Sequence, residues 1–169
     1  MSLARIAILS VMIALATSRA AEEPQELREA RREYEASPSE VARIRFVIHL
    51  ARLRDRLVRE HKDGWQAVDA EVVRHPMASN VDSELLRKRV VEKWASPRHS
   101  YLYWPDGTWT MLPEFEDGIQ STHGIWRIEG NQFVEGTSVA DATRETIIVL
   151  TKTDFIFGRY YMKRGENYF

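Results

Sequence analysis

No cysteine occurs anywhere in the 169 residues. That absence excludes a disulfide framework, a thiolate zinc site, a cysteine nucleophile and a lipid-modified amino-terminal cysteine. Asn-x-Ser/Thr acceptors for glycosylation are missing as well. So are the Gly-x-Ser-x-Gly and Ser-x-x-Lys patterns of serine nucleophiles, and any glycine-rich phosphate loop. None of the five histidines (His49, His61, His75, His99, His123) stands at metal-ligand spacing from another on one helix. These gaps lead us to expect no metal and no cofactor. Charge of one sign is also scarce, with 24 basic against 25 acidic side chains. Such a balance gives no global pull toward nucleic acid.

Long apolar runs are equally rare. Ile6 to Ala16 is the longest apolar stretch, eleven positions without a charged residue against the roughly 20 needed to span a bilayer. Arg5 precedes it, and Ser18-Arg19-Ala20 places small residues where a signal peptidase reads. This pattern predicts a cleavable secretory signal over residues 1–20, with cleavage after Ala20 and a secreted or periplasmic mature chain without a transmembrane segment. An exported domain of this size without disulfides points to a bacterial source.

Glycine and tryptophan are unevenly placed. Seven of eight glycines and four of five tryptophans lie at or after Trp94. The expected organisation is therefore α+β: a signal at 1–20, a helical region at 21–89 and an antiparallel β-meander at 90–169. Glu26 to Ala36 has good helix formers with opposite charges three and four apart. Ser37-Pro38-Ser39-Glu40 reads as a capping box, with Ser37 as N-cap, opening a helix from Pro38 to about His61. Asp63-Gly64-Trp65 suggests another cap for a short third helix, and Asp82 a further turn or two. His75-Pro76 stops the third helix, because a residue before proline avoids the α region.

After Trp94, aromatic runs alternate with turn signals. Tyr101-Leu102-Tyr103-Trp104 meets Pro105-Asp106-Gly107, and Ile125-Trp126-Arg127-Ile128 runs into Gly130-Asn131. Such residues tolerate the positive φ that tight hairpins demand. We expect eight strands, near 90–96, 99–104, 107–112, 124–129, 131–136, 145–151, 153–157 and 159–163. Alternation predicts Trp109, Met111, Trp126, Ile128, Phe133, Ile147, Val149, Phe155 and Phe157 on one face.

Val90 to Trp94, Tyr101 to Thr108 and Gly124 to Asn131 resemble the corresponding pieces of bacterial lipocalin-like domains, over roughly residues 90–164. Glu92 stands where such domains often carry glycine. The resemblance implies a small barrel or half-barrel holding an apolar ligand or a protein partner, and brings no catalytic motif with it.

Candidate site residues follow from side-chain chemistry. Tyr101, Tyr103, Arg127, Arg159 and Tyr161, with Arg98 and His99, could line a polar mouth for an anionic or sugar-like ligand, although long side chains also pair across strands on an exposed face. Trp104, facing opposite to Tyr101 and Tyr103, is the tryptophan least expected to be buried and a further ligand-binding candidate, one that could stack a carbohydrate or an apolar ligand. His99 and His123 flank a loop bearing Glu114, Glu116 and Asp117, and could form a polar or acid–base site with it. The six arginines between Arg43 and Arg59 suit a membrane or envelope contact, or salt bridges to Glu29, Glu33 and Glu35. A non-enzymatic binding module is the leading expectation. A small hydrolase using a histidine and a loop carboxylate, or a structural envelope protein, are the alternatives.

Overall fold

A computed structural model describes residues 23–97, 99–113 and 122–165. Among the described residues, four helices precede eight strands: α1 (Gln25–Ala36), α2 (Glu40–Arg59), α3 (Trp65–Val72), α4 (Ser83–Val90), then β1 (Glu92–Ala95), β2 (His99–Tyr103), β3 (Thr108–Pro113), β4 (Thr122–Glu129), β5 (Gln132–Gly136), β6 (Thr143–Leu150), β7 (Asp154–Phe157) and β8 (Tyr160–Arg164). Every strand pairs antiparallel with the next, and β8 returns to β1, so the meander closes into a barrel. The expected signal segment, Arg98 and the acidic loop of Glu114, Glu116 and Asp117 lie outside the described residues.

The hairpin signals act as the sequence predicts. Gly107 sits at φ +87° and Gly130 at φ +62°, in the left-handed region where a side chain is costly. Asp106 Oδ1 accepts from the Thr108 amide at 2.9 Å and fixes the β2–β3 turn.

Helix starts differ from expectation. The N-cap of α2 is Ser39, not Ser37: its hydroxyl accepts from the Ala42 amide at 3.1 Å. Glu40 consequently bonds Arg43 at 2.7 Å instead of closing a capping box. Asp63 does not cap α3; Gly64, at φ +90°, is its N-cap and no side chain accepts there. Asp82 does cap, accepting from the Glu84 amide at 2.9 Å, and it opens a full helix, α4.

Two apolar clusters build the core. Inside the barrel, Trp94, Tyr103, Trp109, Trp126, Phe133, Phe155 and Phe157 pack together, with Leu86 and Val90 of α4 reaching in from one end. Outside it, Leu27, Val47, Leu50, Val68 and Val72 of α1–α3 cover Ala95, Ile148, Val149, Ile156 and Tyr161. Val149 thus faces the helices, not the interior as simple alternation predicts. The β6–β7 register shifts between Ile147 and Val149, and a bulge of this kind resets which residues face which side. Arg43 of α2 locks this point: its Nη1 donates to the Ile148 carbonyl at 2.9 Å and to the His75 carbonyl at 2.6 Å.

Candidate functional site

Alternation from the paired strands points His99, Tyr101 and Tyr103 of β2, Glu135 of β5, Glu145 of β6 and Tyr160 and Met162 of β8 into the barrel, with His99, Glu135, Glu145 and Tyr160 at the ends of their strands away from α4. This end, opposite α4, is the mouth. Below it, rings of Phe133, Phe155 and Phe157 lie 4.6 to 5.1 Å apart between centroids and fill the barrel. The rings leave no deep lumen, and open space lies beside the mouth instead.

The mouth is polar in an apolar setting. Tyr103 is buried, and its hydroxyl donates to Glu135 Oε2 at 3.0 Å. Burial pushes the Glu135 carboxyl up to about 7; the Tyr103 hydroxyl counters this, and the Glu145 carboxylate adds to the rise. Burial and the Glu135 charge together push the Tyr101 phenol up to about 12. Both tyrosines therefore remain neutral donors. The Glu145 carboxylate lies over the β7–β8 turn, where a Cβ on Gly158 would come within 2.2 Å of its Oε2.

Beside the mouth, the C-terminal part of α2, Trp65 and Asp69 of α3 and the barrel border an open cleft of about 960 Å³. His99, Tyr101, Tyr160 and Met162 form part of its barrel wall, and Trp65 and Val58 part of its helical wall. Val58 and Tyr160 are large apolar side chains left 49% and 55% exposed. Arg52, Arg54, Arg56, Arg59, Arg159 and Lys163 surround this apolar surface. Asp69 holds two of them, Arg54 at 3.1 Å and Arg159 at 3.3 Å.

The sequence-predicted residues separate into distinct places. Tyr101 and Tyr103 stack inside the barrel, their ring centroids 6.1 Å apart, and His99 stands at the mouth with its ring edge-on to Tyr101. Arg159 rims the cleft. Tyr161 points outward beneath α2, donating to Asp154 Oδ1 at 2.7 Å and accepting from Arg52 Nε at 2.9 Å; its backbone, one residue off the inward phase of β8, puts Tyr160 at the mouth instead. Arg127 also points outward and bonds Glu129 at 2.6 Å. Trp104 sits at the opposite end, 46% exposed. His123 lies exposed on the outer face of β4, bonded to Thr110 Oγ1 at 3.0 Å, so the sheet separates it from His99.

Arg43, Arg52, Arg54 and Arg56 of α2 are engaged, though not with Glu29, Glu33 or Glu35. Arg52 bonds Asp154, Arg54 bonds Asp55 and Asp69, and Arg56 bonds Glu26. Glu135, Glu145, Tyr160 and Met162 were not anticipated. One signal was available for Glu135: it shares strand phase with Phe133, and a carboxylate on an otherwise aromatic inner face asks for a reason.

Among the described residues no three His, Asp or Glu side chains group as a metal site, and no helix is long and apolar enough to cross a membrane. No family model, curated protein or solved structure matches this chain.

Proposed function

We propose that this chain is an exported, non-enzymatic binding module that takes a small, largely apolar ligand in the cleft between α2, α3 and the barrel mouth. The carrying observation is the cleft itself, about 960 Å³ with Val58 and Tyr160 left exposed along it. Binding sites for small organic molecules typically occupy about 300–1,000 Å³ and are mostly apolar with a few polar groups. Exposed apolar side chains clustered in a concavity are costly in water unless something covers them.

The lipocalin-like reading of residues 90–164 supports a binding role, and eight antiparallel strands in sequence order agree with it. Here the ligand site shifts from the barrel interior, which rings occupy, to its flank. The hydrolase reading, a histidine with a loop carboxylate, finds no joint site for His99 and His123, which lie on opposite faces of the sheet, and its loop acids lie outside the described residues. Export rests on the features of residues 1–20, and amino-terminal sequencing of the native protein tests it by finding a start at or near Ala21 or at Met1.

Titration with a neutral apolar dye tests the binding claim. One saturable site, abolished by Val58→Asp in a variant that keeps its melting temperature, supports it. Absence of saturable binding refutes it.

A further inference from the structure

An ion pair ties the two walls of the cleft together. Arg159, on the β7–β8 turn of the barrel, places Nε 3.3 Å from Oδ2 of Asp69 on α3, and both residues line the cleft. The two ends of this tie are built differently. Asp69 is buried, and its other oxygen, Oδ1, accepts from Arg54 Nη1 at 3.1 Å; Arg54 is buried too and bonds Asp55 at 2.9 Å. The Arg159 side chain, in contrast, is 80% exposed.

The backbone under Arg159 is anchored on β6. The Gly158 amide donates to the Thr146 carbonyl at 3.0 Å, Gly158 sits at φ +49°, and a Cβ there would meet the Glu145 carboxylate. Phe157 and Tyr160 pair across the turn. Opening of the tie therefore falls to the arginine side chain, not to the turn.

Release costs little at either end. Asp69 keeps Arg54 when Arg159 leaves, so no buried carboxylate is stranded, the loss that makes buried pairs costly to break. The freed guanidinium enters water. An exposed pair of this kind is only weakly favourable, and exposed side chains change rotamer in picoseconds to nanoseconds, much faster than a ligand arrives or leaves.

We infer that Arg159 is a reversible strap across the cleft, closed on Asp69 whether the site is empty or occupied, and that a ligand passes only while it is open. This rests on the reading that the cleft binds a ligand, and it assigns the residue that sets the exchange rate. Asp69 is the fixed catch, and Arg54 positions it. Because the strap closes in both states it has no preference between them, so it slows arrival and departure alike and leaves affinity to the apolar wall.

Stopped-flow fluorescence of the full chain with N-phenylnaphthylamine, a neutral apolar dye, tests this. A neutral probe removes electrostatic steering as a cause of altered rates. Arg159→Gln raises the association and dissociation rates together, by about two- to fivefold for the loss of an exposed pair, and leaves Kd unchanged. Salt near ~1 M, which screens charges beyond ~3 Å, speeds exchange in the parent relative to Arg159→Gln. Arg127→Gln, on the outer barrel face, exchanges like the parent at both salt concentrations.

Parent rates in Arg159→Gln overturn the strap and leave the binding reading standing. Faster association with unchanged dissociation overturns closure over the occupied site. Faster dissociation alone, with weaker affinity, makes Arg159 a ligand contact and overturns the strap. Absence of saturable dye binding overturns the reading of the cleft and the strap with it.

Discussion

Tyr103 and Glu135 meet across the inside of the barrel: the tyrosine hydroxyl donates to the glutamate Oε2 at 3.0 Å although β2 and β5 are not neighbouring strands. The bond spans the lumen, so it ties opposite walls and places a carboxyl in surroundings that favour its neutral form. Tyr101 and Glu145 are the other ionisable groups acting on this pair.

The first prediction concerns pH. The Glu135 carboxyl titrates at about 7 in the fold against an ordinary 4.5. The fold therefore favours its protonated form, and that stability is full below about 4.5 and lost as pH rises through about 7. Glu135→Gln keeps an acceptor for Tyr103 and carries no charge. It should match the parent near pH 4 and exceed it above about pH 8, by on the order of 3 kcal/mol at most. Denaturant unfolding at both pH values checks this; parallel pH profiles for the two proteins contradict it.

Trp126 and Trp104 should respond oppositely to truncation. Trp126 is buried in the barrel and donates through its indole nitrogen to the Trp104 backbone carbonyl, a bond that survives Trp104→Ala. Trp126→Ala should cost about 3–5 kcal/mol, a large part of a domain's usual stability of about 5–15 kcal/mol. Trp104→Ala should melt close to the parent temperature, and equal losses would mean that the interior phase is misassigned.

Gly124 permits a close approach that no other residue allows. A Cβ there would lie 2.2 Å from the Gly136 carbonyl and 2.6 Å from the Trp109 ring. Because one of those obstacles is backbone, Gly124→Ala must shift β4 against β5 and should cost about 1–3 kcal/mol. A variant as stable as the parent in thermal melts would show that the strands part without penalty.

Arg43 joins the helices to the bulge in β6 through the carbonyls of His75 and Ile148. Arg43→Met keeps much of the stem and removes both donors. Leaving buried acceptors unpaired should cost about 1–3 kcal/mol. Hydrogen exchange should then speed up on α2 and around Ile148 before the β2–β3 hairpin responds; uniform acceleration would contradict this role.

Much of the barrel was legible because its signals are local. Pro105-Asp106-Gly107 and Gly130-Asn131 announce their turns, and the aromatic alternation from Trp94 to Phe157 gives the inner face. Val149 escaped because a bulge is a property of two paired strands, not of one. Tyr160 takes the place at the mouth expected of Tyr161, because two adjacent tyrosines leave strand phase undetermined until β8 is paired. The start of α2 went to Ser37 since two serines two residues apart both suit an N-cap. The cleft was out of reach for a different reason: Val58 and Trp65 come from helices and Tyr160 from a strand about a hundred residues later, and no periodicity reports such a meeting.

The placement of the ligand beside the barrel is the central claim, and the five tryptophans report on it separately. Trp65 lines the cleft, Trp94, Trp109 and Trp126 are buried in the barrel, and Trp104 stands at the far end. Indole amide resonances of nitrogen-labelled protein, followed by NMR during titration with a neutral apolar dye, resolve the three places. The account predicts that the Trp65 indole moves saturably while those of Trp104, Trp109 and Trp126 stay within the spread of the unliganded spectra. Movement of Trp109 and Trp126 with Trp65 unchanged would put the ligand inside the barrel and contradict it.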